Sequence, residues 1–478
     1  MTRGNDLKLL IEQFGPPGYE NADGQLSKIN EMFWAAYYTR GKERLIFEPQ
    51  ELDYYDYLPV SGNFEPKSAD KIRTELCALL FESARQWDGW QALERFRAPW
   101  QLNGMIEMLR GHIEERDFFG RDHHYAHLGN CTLSFATDGS GFKMEPFSSE
   151  HRCRNRSPIH YNEKATCPEF EQRILSHVSP DDRLLLQKYA GQCLLGRNLA
   201  QRFVVLDGIG SASKSAFVLT IAGIVGLKNV YELRTAHLHE RFEIGRMVER
   251  TLLIGSDVQG GFLSAPGAYK IKSLVGGDPL EAEKKGSNHR FTVKGRFNLM
   301  ITSNTRLCIY LDSDETSWGR RLAIVRYDTP FTGQRIFDID QYLLNKEAPG
   351  ILNWCVKGLR LLFQDYAKAG DIILSEIQQK RVSDLLAESD SLRIFVANNI
   401  VRDDSKMGNG ESYSLTTEEI LDEYVDDCVR DKNWVPISSA SAEKRLPALM
   451  LKHFGSAKTH NVRRGNKFKR GFWNVRFC

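Results

Sequence analysis

Residues 204–215 read Val-Val-Leu-Asp-Gly-Ile-Gly-Ser-Ala-Ser-Lys-Ser, and the apolar segment 216–225 follows. An apolar, β-branched run, a loop of small residues and a second apolar segment predict a buried strand, a tight turn and a helix, the order in which a chain wraps phosphates. The backbone amides of Gly208, Gly210, Ser211, Ala212 and Ser213 would close around a nucleotide's phosphates. Lys214 would neutralise the β- and γ-phosphates, and the Ser215 hydroxyl would ligate Mg²⁺. The usual pattern, G-x-x-x-x-G-K-[ST], has Gly where this chain has Ser213. A non-glycine residue at a positive-φ loop position costs about 1 kcal/mol, which bends such a site without abolishing it. A chance Gly/Ser loop before Lys-Ser is the plain alternative, and the flanking strand and helix speak against it.

Further elements with the same chemistry follow in order. The apolar strand Thr251–Ser256 ends at Asp257, where an ATPase places a carboxylate for Mg²⁺ and its water. The turn-bounded segment 270–278 contains Lys270, Lys272 and Gly276-Gly277-Asp278. A hairpin is predicted from Leu280–Lys285 and His289–Val293, with Lys284, Lys285, His289 and Arg290 at its tip. The strand Phe297–Ser303 ends at Asn304, whose amide would orient an attacking water. Arg320 and Arg321 precede one more strand, placed to reach the γ-phosphate of a neighbouring subunit.

Taken in this order, the elements resemble the superfamily 3 helicases. More narrowly, they resemble the helicase half of phage and plasmid primase-helicases, the group shared with poxvirus primase-helicases. Two further segments carry the resemblance: His160-Tyr161-Asn162 with Cys167-Pro168-Glu169-Phe170 upstream, and residues 347–354 with Gly358-Leu359 downstream. It implies an AAA+-type P-loop core binding ATP and Mg²⁺. Lys214 and Ser215 take the phosphate-loop roles, Asp257 that of the metal-binding acid and Asn304 that of the sensor. Either Arg320 or Arg321 is the arginine finger, and the hairpin tip lines a DNA channel. Departures are Ser213 and the second motif, where many relatives have Glu at the position of Asp257 and this chain shows a single acid followed by Val258. Bifunctional relatives carry a primase-polymerase domain upstream. No D-x-D or D-x-E pair on an apolar strand precedes the loop, and Asp53-Tyr54-Tyr55-Asp56 resembles the family's pre-helicase stretch, so a stand-alone helicase is expected.

Charge points the same way. Seven of the 64 basic residues and no acid lie in residues 455–478, which leaves 57 basic against 62 acidic residues elsewhere. Arg463, Arg464, Lys467, Lys469 and Arg470 alternate there with Phe468, Phe472 and Trp473, a pattern suited to phosphate contact with packing or stacking. A solvated strand face is the bland alternative. The nine cysteines form no C-x-x-C pair and read as reduced thiols. His123, His124, His127, Cys131, His151 and Cys153 fit no standard zinc spacing, so core and surface roles are expected for them. No apolar run is long enough for a membrane span, and the first residues lack a signal core. A cytoplasmic protein, in a bacterial host, is therefore expected.

The predicted fold class is α/β: an N-terminal α+β domain (1–165), a helical collar (166–200), the ATPase core with a parallel sheet (201–330), a helical lid (331–388) and a C-terminal winged helix (389–478). Helices are expected over residues 69–85 and 100–116. In the collar, Ser179-Pro180-Asp181-Asp182 opens a helix with Leu184, Leu185, Tyr189 and Leu194 at helical spacing, suited to oligomerisation. In the last domain, helix 392–400 and the capping box Thr416–Glu419 are followed by a helix within 441–454, which Pro447 would kink, and by basic strands around Gly465-Asn466. The expected protein is a ring, a hexamer, that unwinds DNA in replication of a phage, plasmid or other mobile element, with a separate primase or polymerase as partner. The alternative is a DNA-binding, switch-like NTPase that unwinds little. A small-molecule kinase would leave the hairpin and the basic wing without a role.

Overall fold

The structure, a computed structural model, describes residues 3–87, 89–120, 124–210, 212–283, 290–311, 314–406, 411–430 and 436–478. The chain forms two units, Met1–Tyr161 and Asn162–Cys478. Among the described residues no helix is long and apolar enough to cross a membrane.

The first unit mixes helices with antiparallel strands. Its sheets are β1 (Gly18–Glu20) with β2 (Leu26–Ile29); β3 (Leu45–Glu48), β4 (Asp53–Leu58) and β5 (Asn63–Lys67); and β6 (Tyr125–His127), β7 (Thr132–Phe135) and β8 (Phe142–Glu145). Helices α1 (Arg3–Phe14), α2 (Glu31–Thr39), α3 (Ala69–Gln86) and α4 (Pro99–His112) share a core with Phe33, Trp34, Leu76, Leu80, Met105 and Leu109. Helix α4 stops at His112, short of the expected Arg116. Asp53 and Asp56 sit on β4, three residues apart and so on opposite faces, and Asp56 accepts from Lys67 Nζ at 2.8 Å.

In the second unit the apolar runs become a five-stranded parallel sheet. Its strands are β9 (Phe203–Gly208), β10 (Val230–Glu232), β11 (Leu252–Gly255), β14 (Asn298–Ser303) and β15 (Leu322–Tyr327), in spatial order β10-β11-β14-β9-β15. Strands β11 and β14 are buried throughout, as continuous apolar runs in a doubly covered sheet require. Strands β12 (Pro279–Glu283) and β13 (Arg290–Lys294) pair antiparallel, forming the expected hairpin arms. The hairpin's Lys284, Lys285 and His289, and the loop's Ser211, lie outside the described residues.

Ahead of the sheet come the short turn α5 (Pro168–Phe170) and helix α6 (Pro180–Cys193); α7 (Lys214–Val225), α8 (Lys270–Gly276) and α9 (Glu315–Gly319) connect its strands. The segment 270–276 is therefore helical. Helix α6 starts as its sequence predicts: Ser179 accepts from Asp182 N, and Pro180 holds the first helical position. Its apolar face is taken by the 31-residue helix α10 (Ile339–Ala369) of the same chain. The two run in backbone contact. A Cβ on Gly358 would lie 1.9 Å from Gln187 O, and one on Gly191 would lie 2.3 Å from Leu359 N.

Two sequence segments quoted above for family likeness meet here. Glu347 of α10 accepts from the amides of Glu169 (3.0 Å) and Phe170 (2.9 Å), capping α5 with a carboxylate. The Asn353 amide donates to the carbonyls of Asn162 and Ala165 at 2.6 and 2.9 Å. Their sequence pattern is therefore a packing pattern.

Helix α11 (Glu376–Ser389) leads to α12 (Ser391–Asn399), α13 (Thr417–Arg430) and α14 (Ser439–Phe454). Strands β17 (Ser414–Thr416), β19 (Lys467–Trp473) and β18 (Thr459–Arg464) form one antiparallel sheet, and β16 (Ile400–Arg402) pairs with β20 (Val475–Phe477). The capping box is present: Thr416 N donates to Glu419 Oε2 at 2.8 Å, and Glu419 N donates to Thr416 Oγ1 at 3.1 Å. Helix α14 contains Pro447 within its span and starts earlier than expected, capped by Ser438.

Gly358→Ala should force α6 and α10 apart and cost about 2–3 kcal/mol, read as a lower chemical-denaturation midpoint. Gly111→Ala, where a methyl group meets nothing within 4 Å, is the control and should be neutral or stabilising. Equal midpoints for the two variants would show that the backbone contact does not hold the unit together.

Candidate functional site

The site forms at the carboxyl end of β9, where a parallel sheet opens its crevice. Strand β15 pairs with β9 so that Tyr327 lies opposite Gly208 and Arg326 opposite Asp207. A Cβ on Gly208 would stand 2.2 Å from Tyr327 O, and Ile209 N donates to that same carbonyl at 3.1 Å. Only glycine lets the chain turn out of the sheet at this point. The loop then closes on Ser213, which adopts φ 63° ahead of α7. The residue that departs from the usual pattern thus occupies the left-handed conformation that favours glycine, at a cost of about 1 kcal/mol.

Lys214 is 5% exposed, and its ammonium donates to the loop's own carbonyls, Gly208 O at 2.9 Å and Ile209 O at 2.5 Å. Burial pushes its pKa below the ordinary lysine value, with Asp207 and Asp257 pulling it back up. Ala212 is buried, and its carbonyl accepts from His177 Nε2 at 2.9 Å. Ser215 is exposed on the first turn of α7.

Beside the loop, the tips of β11 and β14 are tied together. Asp257 N donates to Thr302 Oγ1 at 2.8 Å, and Asn304 Nδ2 donates to Asp257 Oδ1 at 2.5 Å. Asp257 itself adopts φ 45°. The structure therefore brings Lys214, Asp257 and Asn304 to one end of the sheet. A buried ammonium that donates to two loop carbonyls, with an exposed hydroxyl on the next residue, fits a phosphate group. Asp257 and Ser215 offer oxygen donors of the hard type Mg²⁺ prefers.

Three charged residues were not foreseen. The nearly buried carboxylate of Asp207, one residue before the loop, accepts from Arg326 Nη1 at 2.6 Å and Arg306 Nη1 at 3.3 Å. Arg306 also donates to Glu388 of α11 at 2.9 Å, linking this end of the sheet to the C-terminal helices. The register of β15 on β9 brings Arg326 to Asp207, and strand register is not written in either segment alone. His177 was missed for a similar reason, since it lies before α6, well outside the loop.

The arginine pair is separated. Arg321 is 4% exposed and donates to Lys272 O (3.0 Å), Ser317 O (3.2 Å) and Ser317 Oγ (3.0 Å). Arg320 is exposed, with no side-chain hydrogen bond or ion pair among the described residues. Arg321 is thus a packing residue of its own subunit, and Arg320 alone is presented outward.

The candidate DNA contacts divide too. Arg290 is exposed at the hairpin, 3.3 Å from Glu283, which also pairs with Arg241. In the C-terminal sheet Arg464 is held by Glu419 at 2.6 and 2.8 Å and by Ser414 O at 2.7 Å, and Lys469 is paired with Glu418. These two pair the hairpin with α13 on one face of the ladder. Arg463 lies opposite Phe468 in the β18–β19 ladder and shares the other face with Arg470; Phe468 is 72% exposed, and Lys467, opposite Arg464 on the first face, is exposed as well. Alternation along the strands produces this division. In the first unit, His151 Nε2 contacts Glu145 at 3.0 Å and His127 Nδ1 contacts Thr132 Oγ1 at 3.1 Å. Among the described residues no three His, Cys, Asp or Glu side chains are grouped to hold a metal ion; His123 lies outside them.

Residues 206–321, from the end of β9 to Arg321, match a family of unknown function, DUF5906. No curated protein matches the chain. Among solved structures, the chain is similar to the apo structure of the NrS-1 C terminal region, with a TM-score of 0.48 and 11% identity over 93% of this chain and 99% of that one. It is also similar to the A form apo structure of the same region, with a TM-score of 0.46 and 9% identity over 92% and 99%.

Proposed function

We propose that this chain is an ATP-dependent DNA helicase of the superfamily 3 type, with an AAA+-like core and a C-terminal winged helix. It acts as a ring, a hexamer, in replicating a phage, plasmid or other mobile element. The observation that carries this reading is the buried Lys214 ammonium at a strand–loop–helix junction with the Asp257–Asn304 pair at the adjacent strand tips. ATP with Mg²⁺ supplies the phosphoryl group and its charge-neutralising metal. Lys214 would leave the loop carbonyls for the phosphates, Ser215 and Asp257 would hold the ion, and Asn304, already fixed by Asp257, would orient a water. Arg320, projecting away from its own fold, supports assembly in which one subunit completes its neighbour's site. The hairpin arms β12 and β13 and the exposed Arg463, Lys467, Phe468 and Arg470 offer DNA two separate surfaces.

A second reading, a switch-like NTPase that binds DNA but turns over slowly, is favoured by Ser213 in its strained conformation and by Lys214 satisfied within the loop. Steady-state hydrolysis with and without single-stranded DNA separates the two. Strong stimulation by DNA supports the motor, and binding without turnover supports the switch. Lys214→Ala should abolish hydrolysis, and Ser213→Gly should keep or raise ATP affinity. Normal turnover in the Lys214→Ala protein would sink both readings.

Arg320→Ala should leave thermal stability unchanged and ATP binding intact while lowering turnover by about 10³-fold or more. Mixing it with Lys214→Ala subunits should restore part of the activity. Arg321→Ala should instead lower the melting temperature, because it leaves a buried carbonyl and hydroxyl without their donor. If the two arginines behave the other way round, the assignment of the finger to Arg320 is wrong.

A further inference from the structure

The first unit has no part in the reading above, yet it presents a surface with chemistry of its own. Trp100, on the first turn of α4, is 70% exposed, unusual for the largest apolar side chain. Two contacts between α3 and α4 fix its surroundings. Arg73 of α3 donates to Asn103 Oδ1, one turn past Trp100, at 3.0 and 3.2 Å. Arg97, three residues before Trp100, lies with its guanidinium 5.1 Å from the ring centre of Phe81 on α3. Arg85 covers the same ring at 5.5 Å. The helices run antiparallel here, so Trp100 stands between the two contacts. The base is rigid, because Trp87 at the end of α3 stacks on the buried Trp34 at 5.3 Å.

The charges are unevenly balanced. Arg73 is paired with Asp70. Arg97 donates to a backbone carbonyl, Glu94 O, at 3.0 Å, and Arg85 lies against the Phe81 ring. Among the described residues neither of these two has a carboxylate partner, although Glu82, Glu94 and Glu107 are exposed on the same stretch. A guanidinium lying against an aromatic ring keeps its charge and its outward N–H groups for another anion. From Arg73 to Arg85, twelve residues of helix extend about 18 Å, longer than one nucleotide.

We propose that this α3–α4 face of the first unit is a single-stranded nucleic-acid site, with Trp100 stacking on a base and Arg85 and Arg97 contacting backbone phosphates. An exposed ring flanked by cations is what sequence-tolerant strand binding requires. A protein partner would have to desolvate two guanidiniums that have no carboxylate partner among the described residues, whereas a phosphate backbone neutralises them. The site does not depend on nucleotide or on the ring.

The test uses the full chain and a labelled oligo-dT, read by fluorescence anisotropy over a salt series. It is run both in the natural sequence and in a background with Arg463, Lys467 and Arg470 changed to Ala, to remove competing contacts. Trp100→Ala should weaken binding about tenfold or more, and Trp100→Phe should restore most of the affinity. Arg85→Ala with Arg97→Ala should flatten the log–log salt slope by about 1.4, at roughly 0.7 per phosphate contact. Duplex of the same length should be little affected by Trp100→Ala, since its bases are already stacked. Unchanged oligo-dT affinity and slope in these variants overturns the proposal, whatever else docks there. So does an Ala defect that Phe fails to rescue, or an equal loss on duplex.

Discussion

Everything in the second unit depends on two helices being allowed to touch along their backbones. Gly191 and Gly358 bring α6 and α10 together at a distance no side chain would permit. Once α6 lies there, Tyr189 is driven under the sheet, where its hydroxyl accepts from Leu299 N at 2.9 Å and donates to Arg202 O at 3.0 Å. Gln192, one turn on, donates to Asn198 and Asn298 and accepts from Leu199 N and Ala200 N. These buried polar contacts hold the entry to β9 and the start of β14 at a fixed offset. A satisfied buried network of this kind specifies one register. The register in turn sets what meets at the opposite end: Ser303 beside Asp207, and so Asn304 beside the loop.

At that end, one carboxylate organises two cations. Asp207 is nearly buried and compensated by Arg326 from β15; the longer contact to Arg306 leaves that guanidinium shared with Glu388. Past Glu388, Ser389 Oγ accepts from Ile309 N at 3.0 Å, and Asp390 caps α12 while pairing with Arg445 of α14 at 2.5 Å. A continuous chain of polar contacts therefore runs from the strand that carries the loop to the helices that carry the basic hairpin. Contiguity of this kind is a route by which two sites can share an equilibrium.

What the sequence revealed and what it hid follow one physical line. Local patterns were legible: the run into Gly208, the Ser179-Pro180 helix start, the Thr416–Glu419 box and the hairpin arms all depend on residues within a few positions of each other. Roles set by distant partners were not. Arg320 and Arg321 are indistinguishable until α8 and α9 arrive to bury one of them. Arg464 and Lys469 look like free cations in a basic tail until α13 presents Glu419 and Glu418 beneath them. Pro447 reads as a kink, and α14 includes it within Ser439–Phe454. The segments 167–170 and 347–354 read as family signatures, and their physical content is a carboxylate capping a helical turn.

The loop itself shows how a small local cost is carried. Ser213 in the left-handed region gives up about 1 kcal/mol relative to glycine. Around it the loop is over-determined: Gly208 is pinned beneath Tyr327, Ala212 O is held by His177, and Lys214 reaches back to two carbonyls of the same loop. Each bond fixes a position on one side of Ser213, so the strained residue has no alternative that keeps its neighbours in place. The Lys214 contacts have a different status from the rest. They join a buried ammonium to neutral carbonyls, and a phosphate oxygen bearing full charge makes the stronger partner. The contacts to His177 and Tyr327 do not involve the ammonium, so redirecting the lysine would break neither of them.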